Sequence, residues 1–163
     1  MKPRFTPFVL GLLLSIGAGA AYAEAQVEVR YIEPEKFSAM KSTWLTQENM
    51  LATLTAHLQT LGQKYLSAGQ TLQIEITDIV LAGSIEYPRN GEPIRVMREV
   101  TPPRISLRWR VSSADKSAPM HEATLIDASY LTRINQHHDG DPLRYEKRLL
   151  EDWIKRSVVA KAK

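Results

Sequence analysis

Residues 137–141, His-His-Asp-Gly-Asp, place four metal-ligand candidates, His137, His138, Asp139 and Asp141, within five positions. Imidazole nitrogen with carboxylate oxygen suits zinc, copper or nickel. Adjacent residues on an extended chain point to opposite sides, so these four need help from elsewhere to close around one ion. The other histidines are His57 and His121. The spaced acidic ladder of a calcium-binding loop is absent, and the competing reading is a solvated polar loop ahead of a helix.

Two Ser-x-x-Lys matches, Ser38 to Lys41 and Ser113 to Lys116, have the spacing of serine acyl enzymes. The companion Ser-Asp-Asn and Lys-Thr-Gly elements are missing, and Ser113 falls in an expected exposed turn where nothing would lower a lysine pKa. The sequence has no cysteine, no Gly-x-Ser-x-Gly and no glycine-rich phosphate loop. The common nucleophile and nucleotide signatures are therefore absent, and no cofactor is implied.

Arginine is the other dense chemical feature. Arg95, Arg98, Arg104, Arg108 and Arg110 fall in two neighbouring strand-like segments, and alternation puts Arg104, Arg108 and Arg110 on one face. Guanidinium forks suit carboxylates and phosphates. Paired across strands with Glu75, Glu86 or Glu122, the same residues make an ordinary solvated sheet face. A single acid, Asp78, interrupts the strand-like run Gly69 to Gly83 where its alternation calls for an apolar residue. It can support a turn at the strand end, form a buried pair with an arginine such as Arg95, or serve as a site carboxylate with a raised pKa.

These residues must be positioned by elements readable from periodicity. Val27 to Ile32 is a first strand, ended by Glu33-Pro34. Thr46 caps a helix with apolar residues at Leu51, Leu54, Leu58, Leu61 and Tyr65. Leu72, Ile74 and Ile76 line one face of the next strand, and Ala82-Gly83 marks a bulge or a close backbone approach. Asn90-Gly91 predicts a type I′ hairpin turn, its arms shortened by Pro88 and Pro93. Ile105, Leu107, Trp109 and Val111 alternate with polar residues in the cleanest strand of all, and Met120 to Asp127 is its expected partner, with Glu122 available to face an arginine. Asp141-Pro142 opens a last helix carrying Leu143, Leu149, Leu150, Trp153, Ile154 and Val158. The order β-α-β-β-β-β-α predicts an α+β two-layer sandwich: a mainly antiparallel sheet of four to five strands with two helices on one face.

Residues 1–23 have the pattern of a cleavable export leader: basic Lys2 and Arg4, an apolar run from Phe8 to Ala20, and the small-x-small site Ala21-Tyr22-Ala23. That run is shorter than the roughly 20 residues that span a bilayer. Residues 24–163 are then expected as one periplasmic or secreted domain with no membrane span after leader cleavage. The formal charge of +3 falls close to neutral once Lys2 and Arg4 leave, which argues against nucleic acid as a partner.

The stretch Gly69 to Gly83, the segments Ile94 to Met97 and Pro103 to Arg108, and Arg144-Tyr145-Glu146-Lys147 through Asp152-Trp153 together resemble a bacterial exported family described as a domain of unknown function, three-zero-one-six in that series. The resemblance covers nearly all of residues 24–163 and implies a fold and a compartment but no activity. In that pattern a second acid often stands two positions after the equivalent of Asp78. Val80 occupies that position, which departs from a shared two-carboxylate site.

The expectation is a non-enzymatic periplasmic binding or envelope accessory module. Its partner would be an anionic envelope component or another periplasmic protein, held at Asp78, Arg95, Arg104, Arg108 and Arg110. The alternative is a small metal-dependent or carboxylate-based hydrolase using Asp78 with Glu146 or the 137–141 loop.

Overall fold

A computed structural model describes residues 24–42, 45–113 and 116–161; the leader expected over residues 1–23 lies outside them. The elements in chain order are β1 (Gln26–Tyr31), α1 (Gln47–Tyr65), β2 (Thr71–Val80), β3 (Ser84–Glu86), β4 (Ile94–Val96), β5 (Arg104–Ser113), β6 (Lys116–Ser117), β7 (His121–Ile126) and α2 (Arg144–Trp153). A π-helical turn, Ile154–Val158, and a short α3, Val159–Lys161, continue the last helix.

The main sheet has the order β1-β2-β5, with β6 and β7 both pairing β5. Its pairs are antiparallel except β1 with β2, which run parallel. That pair is parallel because α1 carries the chain back to the start of the sheet, the usual reason a helix sits between two adjacent strands. A second, two-stranded sheet joins β3 and β4.

Thr46 caps α1 as its sequence position predicts, its Oγ1 accepting from Asn49 N at 3.2 Å. Met50, Leu54, Leu58 and Leu61 form the buried stripe of that helix. They meet Leu72, Ile74, Ile76, Ile79, Ile105, Leu107 and Trp109 from the sheet and Leu143, Leu150, Ile154 and Val158 from the C-terminal helices in one core. Trp109 and Trp153 close it in a T-shaped contact, ring centroids 5.7 Å apart. The opposite face of the sheet is polar and open. The structure is thus the expected α+β sandwich, with both long helices on one face.

The β3–β4 connection differs from expectation. Neither Asn90 nor Gly91 has positive φ, so the type I′ turn, which needs it at both central positions, does not form. Pro88 and Pro93 fix φ and remove backbone donors, and residues 87–93 make a longer loop between three-residue strands. Gly83 does mark a close backbone approach: its φ is 78°, and a Cβ there would meet Val96 O at 2.6 Å.

Gly62 sets the distance between α1 and β1, because a Cβ at that position would fall 2.1 Å from Val27 Cγ2. Alanine gains up to about 1 kcal/mol of helix propensity over glycine, whereas overpacking against a stiff β-branched side chain costs about 1–3 kcal/mol. Gly62→Ala is therefore expected to lower the urea midpoint, and Gly62→Ala with Val27→Ala to recover part of the loss. A stabilised single variant would show that β1 yields freely.

Candidate functional site

The interruption at Asp78 has a backbone cause. The β2–β5 register shifts between Ile76 and Asp78, leaving Thr77 as the extra residue of a bulge. Ile76 and Ile79 both face the core, and Asp78 is turned to the open face. There its Oδ1 accepts from Ser38 N at 2.7 Å and its Oδ2 from Ser38 Oγ at 2.9 Å. Arg104 NH2 lies 3.6 Å from Oδ2. Beside this contact Ala39 bridges Val80, and Leu81 N donates to Ala39 O at 2.9 Å. Asp78 thereby fastens the segment after residue 37 to the end of β2. The expected alternative of a buried pair with Arg95 does not occur, because the bulge aims Asp78 away from the core and Arg95 belongs to the smaller sheet.

Arg95 instead meets Glu146. Its Nε donates to Ala82 O at 2.6 Å, NH1 to Pro142 O at 2.7 Å and NH2 to Glu146 Oε1 at 3.2 Å. Ala82 N also donates to Oε1, at 2.7 Å, and the two charged side chains are 7% and 0% exposed. Burial pushes the Glu146 carboxyl up, while the Arg95 charge and the Ala82 amide pull it back. The sequence does carry a signal for this acid: Glu146 falls between Leu143 and Leu150 on the three-four stripe of the last helix, where an apolar residue is expected. Asp78 and Glu146 share no partner among the described residues, so the two-carboxylate arrangement of the hydrolase reading is not assembled.

Each acid anchors one wall of the same cleft. Met40, Lys41, Ser42, Leu45 and Gln47 form the wall that continues from Ser38, and Ile85, Tyr87, Glu92 and Pro93 form the wall on the β3–β4 hairpin. The volume is about 520 Å³. The lining is mostly apolar, with one cation, Lys41, and one anion, Glu92. Of the serine and lysine of the Ser38–Lys41 match, the lysine lines the cleft, and the Ser38 hydroxyl is held by Asp78. Tyr87 is 76% exposed at the rim.

The arginine row lies on the open face and is interleaved with acids. Arg108 NH2 is 2.8 Å from Glu75 Oε2, and Arg110 Nε donates to Gln73 Oε1 at 2.5 Å while Gln73 Nε2 donates to Glu28 Oε2 at 2.8 Å. With Arg104 beside Asp78, the face alternates in sign and is not a one-sign patch. Arg98 pairs with Glu86 on the hairpin.

Residues of the 137–141 loop diverge. His138 Nδ1 accepts from Gly140 N at 2.9 Å, Asp139 pairs with Arg144, and Asp141 accepts from Lys147 Nζ at 2.5 Å. Among the described residues no three His, Asp or Glu side chains are arranged to hold a metal. His137 turns inward onto His57, ring centroids 5.2 Å apart, with Glu151 Oε2 3.8 Å from its Nε2. Burial holds both imidazoles below their ordinary pKa, against the opposing pull of Glu151.

The fold and site define an α+β sandwich domain with a cleft held open by two acid-anchored segments. A family model described as protein of unknown function, DUF3016, matches residues 25–156, and the chain belongs to that family. Among solved structures, one from Xanthomonas campestris, matched by the family model DUF330, is similar at 10% identity over 88% of this chain and 86% of its own, with a TM-score of 0.30. No curated protein matches the chain.

Removing one partner of a buried ion pair strands the other, at a cost of about 3–5 kcal/mol. Arg95→Ala is expected to lose stability in that range, and Arg104→Ala, at the solvated Asp78 contact, less than about 1 kcal/mol; equal losses in urea titration would remove the distinction between the two anchors. The depressed histidines give a pH signature. The folded state resists protons that the unfolded chain binds, so their stabilisation is complete above about pH 6.5 and lost as pH falls below it. The melting temperature should drop between about pH 7.5 and 5.5, and His57→Gln should flatten that slope.

Proposed function

We propose that this domain works after export as a non-catalytic binding or accessory module of the cell envelope, and that the cleft between Met40, Lys41, Ser42, Leu45 and Gln47 on one side and the β3–β4 hairpin on the other is where it binds. The observation that carries this reading is the construction of that cleft. Two separate anchors, Asp78 on Ser38 and Arg95 on Glu146, hold facing walls whose lining is apolar except for a few polar groups, the usual composition of a recognition site. Met40, Leu45, Ile85, Tyr87 and Pro93 supply apolar contact, and Lys41 and Glu92 can fix the orientation of a polar group. The leader-like residues 1–23 support the envelope as its place of work, and among the described residues no helix is long and apolar enough to cross a membrane.

The arginine row contributes less to this reading than its density in the sequence implies, since Glu75, Asp78 and Gln73 occupy Arg108, Arg104 and Arg110. The ligand class that fits the cleft is a protein segment or lipid-like molecule presenting an apolar group, and not a polyanion.

A photo-crosslinking residue at Tyr87, in protein expressed in an exporting host, is expected to capture an envelope component, and Ile85→Asp should reduce that adduct at least about tenfold while reversal of Arg104, Arg108 and Arg110 leaves it. N-terminal sequencing of the exported protein should begin at Glu24. Capture unaffected by Ile85→Asp but abolished by the arginine reversal would move the site to the open face.

A further inference from the structure

The open face of the main sheet carries a charge pattern that is complementary to itself. In the aligned registers, Arg30 on β1 lies beside Glu75 on β2, Glu75 beside Arg108 on β5, and Arg108 beside Glu122 on β7. The row reads plus, minus, plus, minus across four strands. Its centre is closed within the chain, Arg108 being 2.8 Å from Glu75. Its ends are open: among the described residues neither Arg30 nor Glu122 makes an ion pair or side-chain hydrogen bond, and both are exposed. Arg108 Nε is buried without a partner.

We propose that this face docks against the same face of a second copy, about a two-fold axis parallel to the strands. An alternating row of even length, turned end for end, sets every charge against its opposite. Arg30 then faces Glu122 of the partner subunit, and Glu75 faces Arg108 of the partner subunit, each contact occurring twice as an isologous interface requires. None of Arg110, Asp78 and Arg104 meets a like charge under the same operation. Arg110 falls opposite the position of Gln73, Asp78 opposite that of Ser106, and Arg104 opposite that of Val80. Within one chain Arg30 and Glu122 are three strand spacings apart, roughly 14 Å, so only a second copy brings the open ends together. Four strands of about six residues give a footprint of roughly 20 by 20 Å, at the small end of specific interfaces. Its contacts are charges on a solvent-accessible face, exposed at Arg30 and Glu122 and partly buried at Glu75 and Arg108; salt screens such contacts, so the dimer is reversible and dissociates as salt rises. The proposal is independent of the cleft, whose walls are not part of this face.

The test is sedimentation velocity on the purified protein at roughly 20 mM and 500 mM salt, where the screening length differs several-fold. Wild-type protein is expected to form dimers at low salt and monomers at high salt. Arg30→Glu and Glu122→Arg, each alone, set like charges against each other twice and should weaken association at least about tenfold. Mixing the two variants restores both contacts, so a mixed dimer should form with near wild-type affinity. The double variant should also self-associate. Circular dichroism melts check that each variant is folded, which both exposed positions permit. A wild-type protein that stays monomeric at low salt, single variants that associate unchanged, or a mixture that fails to pair would each overturn the proposal.

Discussion

One carboxylate, that of Glu146, joins three parts of the chain that apolar contact alone would leave free to slide. It accepts from the Ala82 amide just past the end of β2 and from Arg95 on the hairpin, and it rides on α2. Taking both charges out of water costs much of what their attraction returns, so the pair adds little net stability over a well-packed apolar substitute. Its value is geometric. A fork with three donors on three acceptors fixes the hairpin in one place, whereas Ile or Leu in the same space would accept several. α2 repeats the device two residues later: Arg148 reaches Asp127 at 2.5 Å and the carbonyls of Tyr130, Arg133 and Ile134, and so fixes the loop after β7.

Asp78 complements this at the other side of the cleft, by a different physical route. A single extra residue, Thr77, rotates the strand by one position, and an acid that would have been buried becomes a half-exposed acceptor for Ser38. The same rotation places Asp78 among the side chains of the open face, next to Arg104. The bulge therefore shapes two surfaces at once, the cleft wall and the charged sheet face.

Much of this was legible in the residues. The α1 stripe, the alternation of β5 and the α+β order follow from side-chain period, which is a local property and survives tertiary context. What periodicity could not supply is pairing across distance. Asp78 read as a misplaced acid because a bulge leaves no trace in a period-2 pattern beyond the break itself. Arg95 looked like a member of the arginine row because spacing alone does not show that Gly83 and the prolines split its strand into a separate sheet. For the arginine row the sequence leaves both an anion site and a cross-strand-paired face open, because which acid meets which arginine is set only by register: Glu75 meets Arg108, and Asp78 and Gln73 take Arg104 and Arg110. Asn90-Gly91 favours a tight turn in isolation, and the flanking Pro88 and Pro93 outweigh it.

The two counter-charges carried by α2 also bear on the order in which the chain can assemble. Glu146 bonds an amide 64 residues earlier, and non-local closures of this kind slow folding. Without α2, Arg95 lacks Glu146, and Asp127 keeps Arg133 but lacks Arg148. Docking of α2 thus delivers both counter-charges together, and a chain that ends before residue 146 has neither the Glu146 partner of Arg95 nor the Arg148 partner of Asp127.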